Sequence, residues 1–120
     1  MSKQDAKIPA DKLEQYEKLI LSCLNTKRKG KNNPYTSING HMFSFLTKNG
    51  ILGLRLAKKE REEFIEKYQT GLIEQYGAVM KEYVEVPEEI FANKEIMKTY
   101  LQKSYDYVSS LKSKPGKKKD

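Results

Sequence analysis

Ile38-Asn39-Gly40-His41-Met42-Phe43-Ser44-Phe45-Leu46-Thr47-Lys48-Asn49-Gly50-Ile51-Leu52-Gly53-Leu54 holds two Asn-Gly pairs ten positions apart, each between apolar or β-prone residues. Asn-Gly tolerates the two positive φ angles of a type I′ turn, whose twist suits adjoining antiparallel strands. Two such turns predict a three-strand meander over 35–38, 41–48 and 51–57. A two-residue loop at 49–50 pairs Lys48 with Ile51, Thr47 with Leu52, Phe45 with Leu54 and Phe43 with Leu56. The first loop pairs Ile38 with His41 and Thr36 with Phe43. One face then gathers Ile38, Phe43, Phe45, Leu52, Leu54 and Leu56, and the other carries Ser37, Met42, Ser44, Leu46, Lys48, Ile51, Gly53 and Arg55. A slip of one residue would scatter the apolar set, which is why the pattern argues for this register.

Helices flank the meander. In Asp11 to Leu24 the residues Leu13, Tyr16, Ile20, Cys23 and Leu24 recur at three- and four-residue steps and form one stripe. Lys58 to Tyr68 read as a second helix with Phe64, Ile65 and Tyr68 inward, stopped by Gly71. A second hairpin follows, Leu72–Gln75 with Met80–Val86, turning around Gly77. Pro87 ends the last strand and starts a short helical turn through Phe91. Asn93 is the N-cap of a final helix, 94–111, with Met97, Tyr100, Leu101, Ser104, Tyr105, Val108 and Leu111 on one stripe. The predicted fold is α+β: a five-stranded antiparallel sheet, meander plus hairpin, with helices on one face in the order α-β-β-β-α-β-β-α. Residues 1–10 read as a flexible N-terminus, 11–111 as a single domain and 112–120 as a disordered basic tail.

A chain of 120 residues allows one domain. The lone Cys23 cannot form an internal disulfide, the first ten residues lack a signal-peptide core, and no apolar run nears the ~20 residues that span a bilayer. Cytoplasm is the expected location. The net charge of +7 is unevenly placed. Lys27, Arg28, Lys29 and Lys31 contribute +4, the tail with Lys117, Lys118 and Lys119 contributes another +4, and subtracting both leaves −1 for the rest. Such flexible lysines suit phosphates more than base edges.

The segments Ile38-Asn39-Gly40-His41-Met42-Phe43, Leu54-Arg55-Leu56, Met80-Lys81-Glu82-Tyr83-Val84-Glu85-Val86-Pro87 and Ser104-Tyr105-Asp106-Tyr107-Val108-Ser109-Ser110-Leu111 occur in an order and spacing that resembles the N-terminal domain family of the TfoX/Sxy proteins. The likeness covers residues 11–112, and the lysine-rich end is similar to the family's free-standing members. It implies a two-layer α+β fold with one antiparallel sheet, and a link to transcription of competence genes alongside a cyclic-AMP receptor protein. The Met-Phe-Gly that many members carry before the first strand is missing; Lys29 to Lys31 lie near that place. The resemblance transfers no catalytic residue.

The residues themselves point away from an enzyme. His41 is the only histidine and starts a strand after a turn, where a solvated ring is ordinary. Cys23 reads as a small apolar filler. No zinc spacing occurs, and Lys29-Gly30-Lys31 lacks the upstream glycine of a phosphate loop. No cofactor, metal or small-molecule substrate is expected. Two binding functions are. One is a regulatory or protein-interaction module, self-associating or with a protein partner, whose surface comprises Met42, Leu46, Ile51 and Arg55 on the second sheet face. Arg55 alternatively pairs with Glu82 or Glu85. The other is an accessory nucleic-acid binder using the basic loop and tail. The two separate on one spatial fact: whether loop and tail converge.

Overall fold

A computed structural model of the chain describes residues 8–30, 33–75 and 77–111. The elements are α1 (Ala10–Leu24), β1 (Tyr35–Ile38), β2 (His41–Leu46), β3 (Leu52–Arg55), α2 (Lys58–Tyr68), β4 (Leu72–Gln75), β5 (Ala78–Val86), α3 (Glu88–Phe91) and α4 (Lys94–Ser109). The strands form one antiparallel sheet of five in the order β1-β2-β3-β5-β4. This is the predicted α+β arrangement of meander plus hairpin.

Local chemistry accounts for the helix ends. Asn25 closes α1 in the left-handed region at φ 54° and returns its N–H to the Leu21 carbonyl, a conformation asparagine tolerates better than most residues. Gln69 does the same for α2 at φ 55°, so that helix ends at Tyr68, three residues before Gly71. The Asn93 side chain accepts the Ile96 N–H at 3.1 Å, the predicted cap of α4. The expected flexible segment, 1–10, does not reach as far as residue 10, since α1 starts at Ala10. Ile8 packs on the core and the Pro9 carbonyl accepts the Leu13 N–H, while residues 1–7 lie outside the described ones. The expected tail, 112–120, lies outside them too.

The first hairpin turns as predicted. Asn39 and Gly40 have φ 57° and 81°, and Ile38 pairs with His41. A bulge between Thr36 and Ser37 then sets Thr36 against Ser44 instead of Phe43. The second hairpin differs more. Gly50 alone has positive φ; its N–H bonds to the Thr47 carbonyl, and the Thr47 N–H to the Ile51 carbonyl. The Thr47 hydroxyl accepts the N–H groups of Asn49 and Ile51. The loop therefore has three residues, 48–50, with glycine at the left-handed position, a common hairpin alternative to the two-residue turn. One residue more in the loop moves the register by one: Leu46 faces Leu52, Phe45 faces Gly53 and Ser44 faces Leu54.

The faces of β2 are consequently exchanged. Ser44 and Leu46 pair with Leu54 and Leu52 beneath the helices, in the place expected of Phe45 and Phe43. The core cluster contains Leu46, Leu52, Leu54, Leu56, Val84 and Val86 from the sheet side, with Tyr16, Leu19 and Ile20 of α1, Phe64 of α2 and Met97 and Leu101 of α4. On the other face Phe45 lies across Gly53, where an added Cβ would meet the ring at 2.6 Å, and contacts Tyr83 at 5.3 Å between centroids. Phe43, beyond the last β2–β3 pair, packs edge-on against Tyr105 of α4. The Ser104 hydroxyl donates to the Phe43 and Arg55 carbonyls, tying α4 to the ends of β2 and β3.

The two turns predict different tolerances. Asn39→Val forces a branched residue to positive φ and is expected to cost about 1–2 kcal/mol, plus the bond from Asn39 to the Ser109 carbonyl. Asn49→Val has ordinary φ and is expected to cost less than half as much. Urea melts of the two variants check this; equal losses would return the second hairpin to a two-residue turn.

Candidate functional site

Titratable groups moved far from their ordinary values often mark sites, and Tyr16 is the most displaced. Burial drives its hydroxyl well above the usual tyrosine range, although hydrogen bonds to Ser44 and Thr36 pull the other way. Tyr16 bonds Ser44 at 2.7 Å, and Ser44 bonds Thr36. All three residues are buried. The cluster joins α1 to β1 and β2 and reaches no solvent, so it is a structural seam. Tyr83 is also raised by burial, opposed by Arg55, and its hydroxyl donates to the Met42 carbonyl.

The expected partner surface does not assemble. Leu46 is 3% exposed and sits in the core because of the register shift. Met42 and Ile51 are half-buried. Ile51 lines a small, mostly polar cleft of about 240 Å³ between the β2–β3 turn and β4, with Thr47, Glu74 and Glu85. Arg55 takes the alternative reading: its Nε donates to Glu82 at 2.6 Å, and its guanidinium lies 5.7 Å from the Tyr107 ring centroid. The Tyr107 hydroxyl donates to the other Glu82 oxygen. This group locks the far end of α4 to β3 and β5. His41 is half-buried, as is Cys23, which packs on the core. Among the described residues no group of three or more His, Cys, Asp or Glu is placed to hold a metal ion. Among them, too, no helix is long and apolar enough to cross a membrane.

The expected meeting of basic loop and tail falls on residues 112–120, outside the described ones; what the structure places together is the described part of the loop, β1 and the last turn of α4. Lys29 forms an antiparallel bridge with Tyr35, so the loop doubles back along β1. Its Nζ donates to Ser37 Oγ at 2.8 Å. Two residues further, about 7 Å of strand, Asn39 meets the carbonyl of Ser109 in the last turn of α4. The last turn of α4 thus lies beside the β1–β2 turn. Lys27 is exposed, whereas Arg28 bonds Glu17 at 2.9 Å and the Gly30 carbonyl. Lys31, Lys117, Lys118 and Lys119 lie outside the described residues.

One surface feature was missed from the sequence. A groove of about 450 Å³ runs between α1 and the corner joining α3 to α4. Leu19, Leu21, Phe91 and Ala92 line it, with Lys18 and Lys94 at its rim. Leu21 is 53% exposed. The available signal was that Leu21 falls off the α1 stripe of Leu13, Tyr16 and Ile20. An apolar residue among polar neighbours on a helix's outer side invites a search for a second contact. Compared with family models, curated proteins and solved structures, the chain matches none.

The Tyr16 seam generates a pH test. Below about pH 10 both folded and unfolded chains keep the Tyr16 proton, so its ionisation has no effect on stability. Above that the unfolded chain releases it while the folded chain holds it, and stability falls with rising pH by up to about 1.4 kcal/mol per pH unit. Tyr16→Phe is expected to cost about 0.5–1.5 kcal/mol at pH 7 through lost hydrogen bonds, and that deficit should shrink by pH 11. Urea midpoints of both proteins at the two pH values check the sign. A constant deficit would place the hydroxyl in contact with water.

Proposed function

We propose that this chain is a non-catalytic regulatory or protein-interaction module, resembling the TfoX/Sxy N-terminal domain, that works in the cytoplasm through its groove between α1 and the α3–α4 corner. The observation that supports it is the exposed Leu21 beside an apolar hollow lined by Phe91 and Leu19. Water is poorly accommodated on such a surface, and a partner's apolar side chains filling it would gain roughly 25 cal/mol for each Å² withdrawn from water. The buried polar groups elsewhere, Tyr16, Ser44 and Ser104 among them, and the half-buried Arg55 are already engaged in holding elements together. A photo-crosslinking side chain at position 21 is expected to trap a discrete partner in the cells that make this protein, and one at position 62, on the exposed side of α2, is not. Equal labelling at both positions would overturn this reading.

A second reading has its own observation. Lys29 lying along β1, with Lys27 exposed two residues before it and the last turn of α4 meeting Asn39, supports an accessory nucleic-acid binder that contacts phosphates without base specificity. Four phosphate contacts would make log affinity fall against log salt with a slope of about −3.6, roughly a hundredfold between 50 and 200 mM. Removing residues 112–120, or changing Lys27 and Lys29 to Ala, should flatten the slope. Arg28→Ala should flatten it less, since Glu17 already holds that guanidinium. A duplex titration at low salt with no binding at tens of micromolar would exclude this reading.

A further inference from the structure

We infer that the α1/α3–α4 groove receives an acidic amphipathic helix from a protein partner, an inference that rests on the groove being the partner surface. The shape comes first. The groove is open and walled by helices, its volume of about 450 Å³ falls in the range of roughly 300–1,000 Å³ where clefts hold bound groups, and its middle is apolar. A helix offering apolar side chains at i, i+3 or i+4 and i+7 suits such a channel.

Charge decides between the possible occupants. The charged residues lining the groove are Lys18 and Lys94, and none of the lining residues is acidic. Lys18 is bound by Glu14 at 3.2 Å, but both side chains are largely exposed, so this pair is readily exchanged. Lys94 is the first residue of α4, where the partial positive charge of the helix end disfavours a cation. Glu95 follows it and offsets part of that cost. A carboxylate arriving across the groove would relieve the rest. A second copy of the chain fits poorly, because a two-fold contact centred here would gather Lys18 and Lys94 of both copies. The chain's own ends fit no better. Residues 1–7 offer one large apolar side chain, Met1, and residues 112–120 offer five lysines and none.

The test uses the full chain, isotopically labelled, titrated with a synthetic amphipathic peptide carrying leucines at the anchor positions and glutamates beside them. Its companion has lysines in place of the glutamates. The glutamate peptide is expected to move the resonances of Leu21, Ser22, Ala92 and Lys94 with micromolar affinity, and the lysine peptide to bind at least tenfold more weakly. Leu21→Ser should weaken the glutamate peptide about tenfold, and Lys18→Glu with Lys94→Glu by at least as much, with amide spectra showing that each variant is folded. Groove binding that ignores peptide charge would overturn the acidic partner while leaving the groove as a partner surface. Shifts confined to Lys27–Gly30 would overturn it by assigning the attraction to the basic loop. Dodecanoate moving the same groove resonances at lower concentration than the peptide would replace the helix by an anionic lipid. No shift at millimolar peptide would overturn the inference outright.

Discussion

Thr47 holds the β2–β3 turn at three residues, through its carbonyl to Gly50, its N–H to Ile51 and its hydroxyl to two further N–H groups. That count determines which side of β2 meets the helices. With Leu46 opposite Leu52 and Ser44 opposite Leu54, the leucines of β3 gain an apolar neighbour and the Tyr16 hydroxyl gains a partner. Phe45 is turned to the far face, and only a glycine at position 53 leaves room for its ring. Each of these contacts presupposes the register, and the register presupposes the turn.

Polar groups inside the core then determine where the helices sit. Apolar burial drives α1 and α4 onto the sheet, but it is non-directional and would accept many placements. A buried hydroxyl without a partner costs about 1–3 kcal/mol, so the bonds of Tyr16 to Ser44 and of Ser104 to the Phe43 and Arg55 carbonyls favour one placement of each helix. The Arg55–Glu82–Tyr107 group does this for the end of α4. Exposed Coulomb attraction contributes little there; the partial burial of Arg55 makes the geometry count.

What is left for other molecules lies at the margins of this arrangement. The β1 edge carries Lys29 because the loop folds back along it, and α4 ends next to the turn that follows. The groove exists because α3 is a single short turn: its corner with α4 brings Phe91 and Ala92 up to α1 without closing over Leu21. An apolar groove lined in part by lysines suits an acidic partner. The groove adds shape, which charge alone lacks.

Much of the fold was legible in the sequence because it depends on local chemistry. Asn39-Gly40 sets its turn, Asn93 its cap, and the α4 stripe through Met97, Leu101, Ser104 and Val108 its buried side. These choices involve residues within a turn or two of each other. The faces of β2 depended on less. Asn49-Gly50 is compatible with loops of two residues or three, and the bulge at Thr36 and Ser37 has no local signature. Both alternatives keep apolar residues alternating, so only the helices packed above could choose between them, by burying Leu46 and satisfying Ser44. The site followed the same rule. The basic residues could be counted in the sequence, and so could the pairing of Arg55 with an acid two strands away in the chain. The meeting of Asn39 with the last turn of α4, and the hollow between Leu21 and Phe91, are made by segments about 70 residues apart. Distances of that kind are settled by packing, because no local preference reaches across them.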